Sequence, residues 1–243
     1  MTESKQEGRR DWMSGAFAAL LGILIGAGAV GAWYGFRSPD RAATEAIVRD
    51  YILAHGEIIP EAMERAQNRR SARSVDRHRS ALETPFHGAW AGADDGDVVL
   101  VQFFDYSCGY CRQSNADVDR LLREDNRLRV VWRELPVLGP DSEAAARVSL
   151  AAAQQGRFRD FHTRMFMLGR PTAGLLQQAS QGSGVQPAAE TAEMRTELAR
   201  NIEMARAIGA SGTPTFVVGD QVLQGAVGYE ALRDAIRQAR ARS

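Results

Sequence analysis

The chain has two cysteines, Cys108 and Cys111, which are three residues apart. Of all residues in the sequence, these two indicate reactive chemistry most clearly by their type and spacing. The apolar run 98–104 precedes them and predicts a short strand buried on both faces, and the pattern after them predicts a helix over about 111–124. Unpaired backbone N–H groups and the helix dipole stabilise an anion at such a helix start. Since the thiolate is the reactive form of cysteine, we expect Cys108 to be the nucleophile and Cys111 the resolving thiol of a redox-active disulfide.

Two other uses of a cysteine pair fit the sequence less well. A zinc site would need a second pair of cysteines or histidines at ligand spacing, and no such pair follows. A disulfide that closes so short a loop would remove little entropy from the unfolded chain, so a purely structural role is also disfavoured. We predict no metal site and, because two sulfurs carry two electrons, no cofactor. The four scattered histidines are interpreted as surface or packing residues: His55, His78, His87 and His162.

A proline stands at the start of a second apolar run. Thr213-Pro214 immediately precedes residues 215–218, which are typical of a buried strand, where proline removes a backbone donor. A cis peptide bond would resolve this and expose backbone groups of Thr213 beside the active helix; a trans turn after Gly212 is the alternative. The cysteine pair favours the cis form. An extended substrate segment could pair with that edge. The predicted substrate-contacting residues are Gly109, Tyr110, Thr213 and Pro214.

The hydrophobic pattern indicates an α/β domain. A second strand is predicted over 128–133, after the helix that follows the cysteines. Residues 141–208 have an almost wholly helical pattern and predict a helical insert. Two strands, 215–218 and 221–224, then form a tight hairpin, and a closing helix covers 229–240. The order is therefore β-α-β, a helical insert, and β-β-α.

Two helices are predicted upstream of this domain. They cover 41–54 and about 60–80, and we assign residues 37–84 to a helical extension and 85–243 to the α/β domain. Residues 47–63 are rich in large apolar side chains for a free stalk. They either pack on their own domain or on copies of the chain, so the extension is a possible segment for homo-oligomerisation.

The N-terminal part holds a long uncharged segment, residues 13–36. Its length and apolar character predict a single transmembrane helix, with residues 1–12 as a cytoplasmic tail and the later residues exported. A cleaved signal peptide is the alternative, because basic residues precede the segment and the small-residue site 27–29 lies within it. We favour the uncleaved anchor, since the apolar stretch continues past that site. A buried helix of a soluble domain is the third possibility.

Overall charge disfavours a nucleic-acid partner. The 30 lysines and arginines balance 30 aspartates and glutamates, which leaves a formal net charge of +0 at pH 7. Phosphate binding needs a surplus of basic residues on one face. The hydrophobic content of 44% is that of an ordinary globular protein, which excludes wholesale disorder.

With these motifs in view, the sequence resembles the DsbA-like branch of the thioredoxin superfamily over about residues 97–240. The upstream segments 47–53 and 57–67 resemble the N-terminal extension of ScsC-type proteins, which serves trimerisation in some members. The motifs that carry the DsbA-like resemblance are FFDYSCGYC at 103–111, ELPVLGPDS at 134–142, GTPTFVV at 212–218 and GAVGYE at 225–230.

This resemblance implies a thioredoxin-like fold with an inserted helical domain and a periplasmic protein thiol–disulfide oxidoreductase. It implies Cys108 and Cys111 as the redox pair, and Thr213 and Pro214 as the substrate-facing cis-proline loop. Exported proteins with cysteines would be the substrates, and a DsbB-like or DsbD-like membrane protein would reset the redox state. Whether the protein acts as oxidase, reductase or isomerase stays open.

The sequence departs from the family pattern at two positions. Many relatives carry a buried acidic residue six positions before the first cysteine, where this chain has Gln102, and a neutral amide accepts no proton. The strongly oxidising relatives have histidine before the second cysteine, where this chain has Tyr110. A hydroxyl donor stabilises the thiolate less, so we predict a less oxidising couple than that of a dedicated oxidase.

A second function is compatible with the same two thiols. Soft thiolates at this spacing can hold Cu(I), and some ScsC-like relatives are connected with copper tolerance. A copper-binding module is therefore the alternative hypothesis.

Overall fold

The computed structural model of the protein describes residues 26–28 and 41–242. Residues 26–28 are helical. In chain order the remaining elements are α1 (Arg41–Ala54), α2 (Ile58–Glu83), β1 (Trp90–Gly92), β2 (Val98–Phe104), α3 (Gly109–Glu124), β3 (Leu128–Glu134), α4 (Pro140–Gln154), α5 (Phe158–Leu168), α6 (Ala173–Ser183), α7 (Ala192–Ala207), β4 (Thr215–Val218), β5 (Gln221–Gln224) and α8 (Tyr229–Arg240).

A five-stranded mixed sheet with the order β1-β3-β2-β4-β5 forms the centre of the domain. β2 and β3 are parallel and joined by α3, whereas β1 lies antiparallel to β3, and β4 antiparallel to β2 and β5. The four helices α4 to α7 lie between β3 and β4 in sequence, as predicted for the helical insert. This is the strand–helix order of a thioredoxin-like fold with an inserted helical region.

The central strand β2 has a buried layer on each face. Because side chains alternate along a strand, Leu100 and Phe104 pack in one hydrophobic cluster and Val101 and Phe103 in another. The first cluster includes residues of α3, α5 and α8, and the second includes residues of α2 and α7. The continuous apolar run 98–104 is thus explained by burial on both faces, as predicted.

The strand and helix predictions agree closely with the structure, with one omission. The helix 41–54 and the elements 215–218, 221–224 and 229–240 are confirmed at their predicted bounds. Strand β1 was not predicted. It has only three residues and pairs with β3 from one side, so it leaves no alternating pattern in the sequence.

The described chain divides into two compact units, of which one ends at Ala62 and the other begins at Met63. The second unit therefore starts earlier than the predicted residue 85. The reason lies in the later turns of α2, where Val75 and Leu82 are buried in the second hydrophobic cluster. In the first unit, all of α1 is exposed.

The predicted transmembrane segment 13–36 and the tail 1–12 lie outside the described residues, apart from 26–28. Among the residues that the structure describes, none of the helices combines the length and apolar character needed to span a bilayer.

Candidate redox site

Cys108 is the N-cap of α3. Its backbone is extended, with φ −82° and ψ 114°, and its Sγ accepts a hydrogen bond from the backbone N–H of Cys111 at 3.3 Å. The strand β2 ends at Phe104, so a short turn carries the chain from the buried sheet to this cap. The sulfur therefore lies where a helix presents its unpaired N–H groups.

The surroundings of Cys108 favour its thiolate. The side-chain hydrogen bond from Cys111 lowers the pKa of Cys108 most, and a hydrogen bond with the Thr213 side chain and those from the backbone N–H groups of Cys111 and Tyr110 add to it. Partial burial opposes them, and the resulting pKa is about 6, against an ordinary value of 9.0. A large fraction of this thiol is therefore ionised at neutral pH.

Cys111 has the opposite character. It is fully buried, and burial together with the neighbouring Cys108 sulfur raises its pKa far above the ordinary value. Both cysteines are free thiols in this structure. One reactive sulfur and one protonated, protected sulfur therefore lie one helical turn apart.

The predicted cis peptide bond between Thr213 and Pro214 is present and lies beside Cys108. The Cys108 thiol donates a hydrogen bond to the backbone carbonyl oxygen of Thr213 at 3.2 Å. Of the other predicted substrate-contacting residues, Gly109 and Tyr110 begin α3, and the Tyr110 side chain is 67% exposed. The structure thus brings all four residues around the opening to Cys108.

Asp105 organises the turn before the cysteine, a role that the sequence motifs do not indicate. Its Oδ1 accepts from the backbone N–H of Ser107 at 2.7 Å, and its Oδ2 accepts from Val137 and Leu138 at 2.9 and 3.0 Å. The buried carboxylate thereby ties the loop after β3 to the turn that carries Cys108, and the side chains of Val137 and Leu138 remain exposed there. An aspartate two residues before a backbone donor is an Asx-turn signal, which could have identified it.

Gln102 lies in β2, six positions before Cys108, and is fully buried. Its Oε1 accepts from the indole Nε1 of Trp132 at 2.9 Å, and its Nε2 donates to Asn115 Oδ1 at 3.4 Å. An indole N–H only donates, so this contact fixes the orientation of the amide. The position that is acidic in many relatives is here a fully oriented neutral amide.

The hydrogen-bond chain continues from Asn115 through the helical insert. With its Oδ1 accepting, Asn115 donates through Nδ2 to His162 Nε2 at 3.4 Å, and His162 Nδ1 lies 3.2 Å from the hydroxyl of Tyr106. Burial lowers the pKa of His162 well below its ordinary value, so the ring is neutral and carries its proton on Nδ1. Tyr106 then donates to Ser149 at 2.9 Å. Next to Ser149 lies the buried Glu134. Burial raises the pKa of Glu134 well above its ordinary value, and a hydrogen bond with Ser149 opposes this rise only in part.

The four histidines are expected to be surface or packing residues, and none of them forms a hydrogen bond with either cysteine within residues 41–242. His162 is a buried packing residue among aromatic rings, whereas His55, His78 and His87 lie at or near the surface. In the parts of the chain that the structure describes, no three His, Cys, Asp or Glu side chains come close enough to hold a metal ion.

A mixed sheet with a helical insert, a low-pKa cysteine at a helix N-cap and a cis-proline beside it define the thioredoxin-like class of thiol–disulfide proteins. Residues 99–237 match the family described as DSBA-like thioredoxin domain, and residues 40–73 match the copper resistance protein ScsC N-terminal domain. The chain belongs to the DSBA-like thioredoxin domain family. Its domain is of the DsbA and ScsC type. Its structural neighbours of that type are thiol–disulfide oxidoreductases.

Solved structures show the same fold. A linker-deletion mutant of ScsC from Proteus mirabilis is 25% identical, with a TM-score of 0.73 over 85% of this chain and 98% of that one. A periplasmic thioredoxin-like protein from Salmonella enterica serovar Typhimurium is 26% identical, with a TM-score of 0.64 over 67% and 95%. A thioredoxin-like oxidoreductase from Silicibacter pomeroyi is 37% identical, with a TM-score of 0.60 over 63% and 92%.

The curated relatives that match are much longer proteins. The Na⁺/H⁺ antiporter NhaA 3 of Salinispora tropica is 32% identical over 157 residues, which is 61% of this chain and 24% of the relative. The chain therefore spans about a quarter or less of the length of these relatives.

Proposed function

We propose that the protein is a periplasmic thiol–disulfide oxidoreductase that acts on cysteines of exported proteins through a mixed disulfide. The observation that carries this proposal is the contrast within the pair: the pKa of Cys108 is lowered to about 6, and that of Cys111 is raised. A pair with one nucleophilic and one reserved thiol can form a mixed disulfide and then release it.

In the reducing direction, the Cys108 thiolate attacks one sulfur of a client disulfide, and the other client sulfur leaves as a thiolate. Cys111 then loses its proton and attacks Cys108, which forms the Cys108–Cys111 disulfide and releases the second client thiolate. Two electrons pass from the protein to the client, and the oxidising direction is the reverse sequence. Because Gln102 accepts no proton, the proton of Cys111 passes to water or to the departing client thiolate.

The client segment is held by backbone pairing at Thr213. The carbonyl oxygen of Thr213 accepts from the Cys108 thiol in its protonated form, and it is free once that sulfur is ionised or bonded to a client. An extended client chain can then donate to it, as an added strand does at a sheet edge. Gly109 and Tyr110, which directly follow Cys108, are exposed and available to contact the client.

The comparisons support an exported location, and a membrane-bound redox partner is part of the proposal. One similar structure is described as a periplasmic protein, and two of the three interpretations of residues 13–36, an anchor and a signal peptide, lead to export. A DsbB-like oxidase or a DsbD-like reductase would reset the pair. The direction of electron flow in the cell depends on which of them reacts with Cys108.

We also propose that the first unit mediates self-association. Large apolar side chains of α1 are exposed at i, i+4 spacing: Ile47 with Tyr51, and Val48 with Ile52. The match of residues 40–73 to the ScsC N-terminal family supports this role. Because the second unit begins at Met63, removal of residues 41–62 is the appropriate truncation. A change from oligomer to monomer in sedimentation is expected, and a monomer in both forms would exclude the proposal.

Trapping tests the enzymatic proposal. In Cys111→Ala, the mixed disulfide at Cys108 cannot be resolved, so client proteins should accumulate on the chain and be identified by mass spectrometry. The matched variant Cys108→Ala should trap far fewer, because the remaining thiol is buried and protonated. Equal trapping by both variants, or by neither, would contradict the assignment of the nucleophile.

Copper binding is the second candidate, and the ScsC N-terminal match is the observation that favours it. Two thiolates would have to bind Cu(I), which requires deprotonation of the buried Cys111 against its raised pKa. A reduced protein that binds one Cu(I) tightly and exchanges no disulfides would support this function over the first.

A further inference from the structure

A groove runs along α3 on the side that faces α5. Its volume is about 380 Å³, at the lower end of the range for small-molecule pockets, which suits one or two peptide side chains. Trp132 and Phe166 form an apolar floor, and Ala116 and Met167 line its rim. The Met167 side chain is 74% exposed, and methionine adapts to apolar partners of different shapes.

The charges at this groove leave one cation without a partner. Arg159 pairs with Asp119 at 2.9 Å and stacks over Trp132 at 4.5 Å, so its charge is balanced within the protein. Arg112 is exposed at the end nearest the redox pair, and its guanidinium makes no ion pair or hydrogen bond within residues 41–242. The groove therefore combines an apolar floor with one unbalanced positive charge at its mouth.

The position of the groove connects it with the nucleophile. Cys108, Arg112, Asn115 and Asp119 follow each other at i, i+4, i+7 and i+11, which places them on one face of α3. Arg112 lies roughly 6 Å and Asn115 roughly 10 Å along the helix from Cys108. An extended peptide rises roughly 3.3 Å per residue, so a client residue two to four positions from its cysteine reaches these residues.

The groove and the cis-proline loop lie on opposite sides of the central strand. The groove floor includes Trp132 of β3, whereas Thr213 precedes β4, and β3 and β4 flank β2 from its two edges. A client chain that pairs with Thr213 and continues past Cys108 in the same direction would reach the groove.

We propose that this groove is a specificity site for clients that carry a large apolar side chain with an acidic neighbour two to four residues from the reactive cysteine. The apolar side chain contacts Trp132, Phe166 and Met167, and the carboxylate pairs with Arg112. This inference rests on the proposed function, because the groove acts only on a client that is bonded to Cys108.

The proposed specificity site can be tested by measuring the rates of disulfide exchange with defined peptides. The probes are peptides with one cysteine, which is blocked as a disulfide with 2-mercaptoethanol. Each peptide carries the pair Leu-Glu, Leu-Lys or Ala-Glu, and the pair is placed two, three or four residues from the cysteine in separate peptides. We expect the reduced protein to react about three to five times faster with the best Leu-Glu peptide than with its Leu-Lys counterpart. Loss of the leucine should reduce the rate by about tenfold.

Two variants locate the preference. Arg112→Glu should reverse the order of the Leu-Glu and Leu-Lys peptides, with Arg123→Glu, an exposed arginine of α3 outside the groove, as the control. Ala116→Trp fills the groove from an exposed position and should abolish the leucine preference, with Gln113→Trp on the same helix as the control. All rates are divided by the rate with bis(2-hydroxyethyl) disulfide, a neutral probe too small to occupy the groove.

The neutral probe separates the two proposals. If the protein reacts with it no faster than a small-molecule thiol does, the proposed function fails. If it reacts rapidly but shows no preference among the peptides, or if both groove variants keep the wild-type order, the specificity site is excluded and the redox function stands.

Discussion

The indole of Trp132 donates its N–H to the side-chain oxygen of Gln102 at 2.9 Å, across the paired strands β2 and β3. The two residues are partners in the strand register, so the contact is built into the sheet itself. It leaves the amide nitrogen of Gln102 to donate to Asn115 of the active-site helix. The sheet and the helix that carries Cys108 are joined through one oriented amide.

Replacement Gln102→Glu should therefore make stability depend on pH. A glutamate could still accept from Trp132, but it would also face the oxygen of Asn115, and both burial and this oxygen favour its protonated form. A raised pKa in the folded state means that stability is retained below the unfolded pKa of about 4.3 and lost as pH rises above it. We expect a loss of about 1–3 kcal/mol near neutral pH and much less at about pH 4 in urea unfolding. The exposed variant Gln113→Glu should show no such pH dependence, and a loss of equal size at both pH values would contradict the argument.

Cys108 of the reduced protein should titrate with a midpoint of about 6, seen as thiolate absorbance in the ultraviolet. In Cys111→Ala the midpoint should rise towards 9.0, because the hydrogen bond from Cys111 is the largest cause of the lowered pKa. A group with a depressed folded pKa contributes stability that is present above its unfolded pKa and lost as pH falls through its folded pKa. The free energy of unfolding of the reduced protein should thus rise from about pH 6 to 9. A free energy of unfolding that does not change over this range would contradict the lowered pKa of Cys108.

The redox potential should be lower than that of a strong oxidant. The groups that stabilise the Cys108 thiolate are the side chains of Cys111 and Thr213 and the backbone N–H groups of Cys111 and Tyr110, and no imidazole is among them. Equilibration with glutathione should give a value more negative than about −120 mV, the value for a strong oxidant. A Tyr110→His variant should shift the potential in the oxidising direction, and an unchanged potential would show that this residue does not control it.

Removal of the Arg133 guanidinium should be costly. It is buried, pairs with Glu197 at 2.8 Å, and donates to Asn201 at 3.0 Å and to backbone carbonyls of α2. Arg133→Met should destabilise the protein by about 3–5 kcal/mol because the buried Glu197 loses its short, hydrogen-bonded partner and keeps only the longer pair with Arg200 at 3.8 Å. A second change, Glu197→Leu, should recover much of the loss. Arg233→Met, which breaks the exposed pair with Glu230, should cost less than about 1 kcal/mol. Equal costs for the two arginines would contradict this view.

His162 should be neutral, with its proton on Nδ1, wherever the protein is folded. Nitrogen NMR of the imidazole distinguishes this tautomer, and a proton on Nε2 would overturn the direction assigned to the hydrogen-bond chain. Tyr106→Phe removes the acceptor for that proton and should cost about 1–3 kcal/mol of stability, since the buried Nδ1–H loses its partner. A loss well below this range would show that another group satisfies it.

The sequence predicts most elements and the redox pair because both depend on local signals. The runs 98–104 and 215–218, the spacing of Cys108 and Cys111, and the proline at 214 are each visible within a few residues. The buried ion pair is not visible in this way, because Arg133 and Glu197 lie 64 residues apart and only the fold brings them together. The same holds for Asn115 and His162, and for the groove, whose two walls come from separate helices.

The backbone carbonyl oxygens at the end of α2 and just after it determine how the protein can be divided into fragments. Those of Ala81, Leu82 and Thr84 all accept from Arg133, although the DSBA-like family match begins only at residue 99. In a fragment that starts at residue 99, the buried Arg133 would lose these three hydrogen-bond acceptors. The sheet face that Val75 and Leu82 cover would also become exposed. The smallest autonomous catalytic piece should accordingly begin no later than Met63, and shorter clones should be found in inclusion bodies.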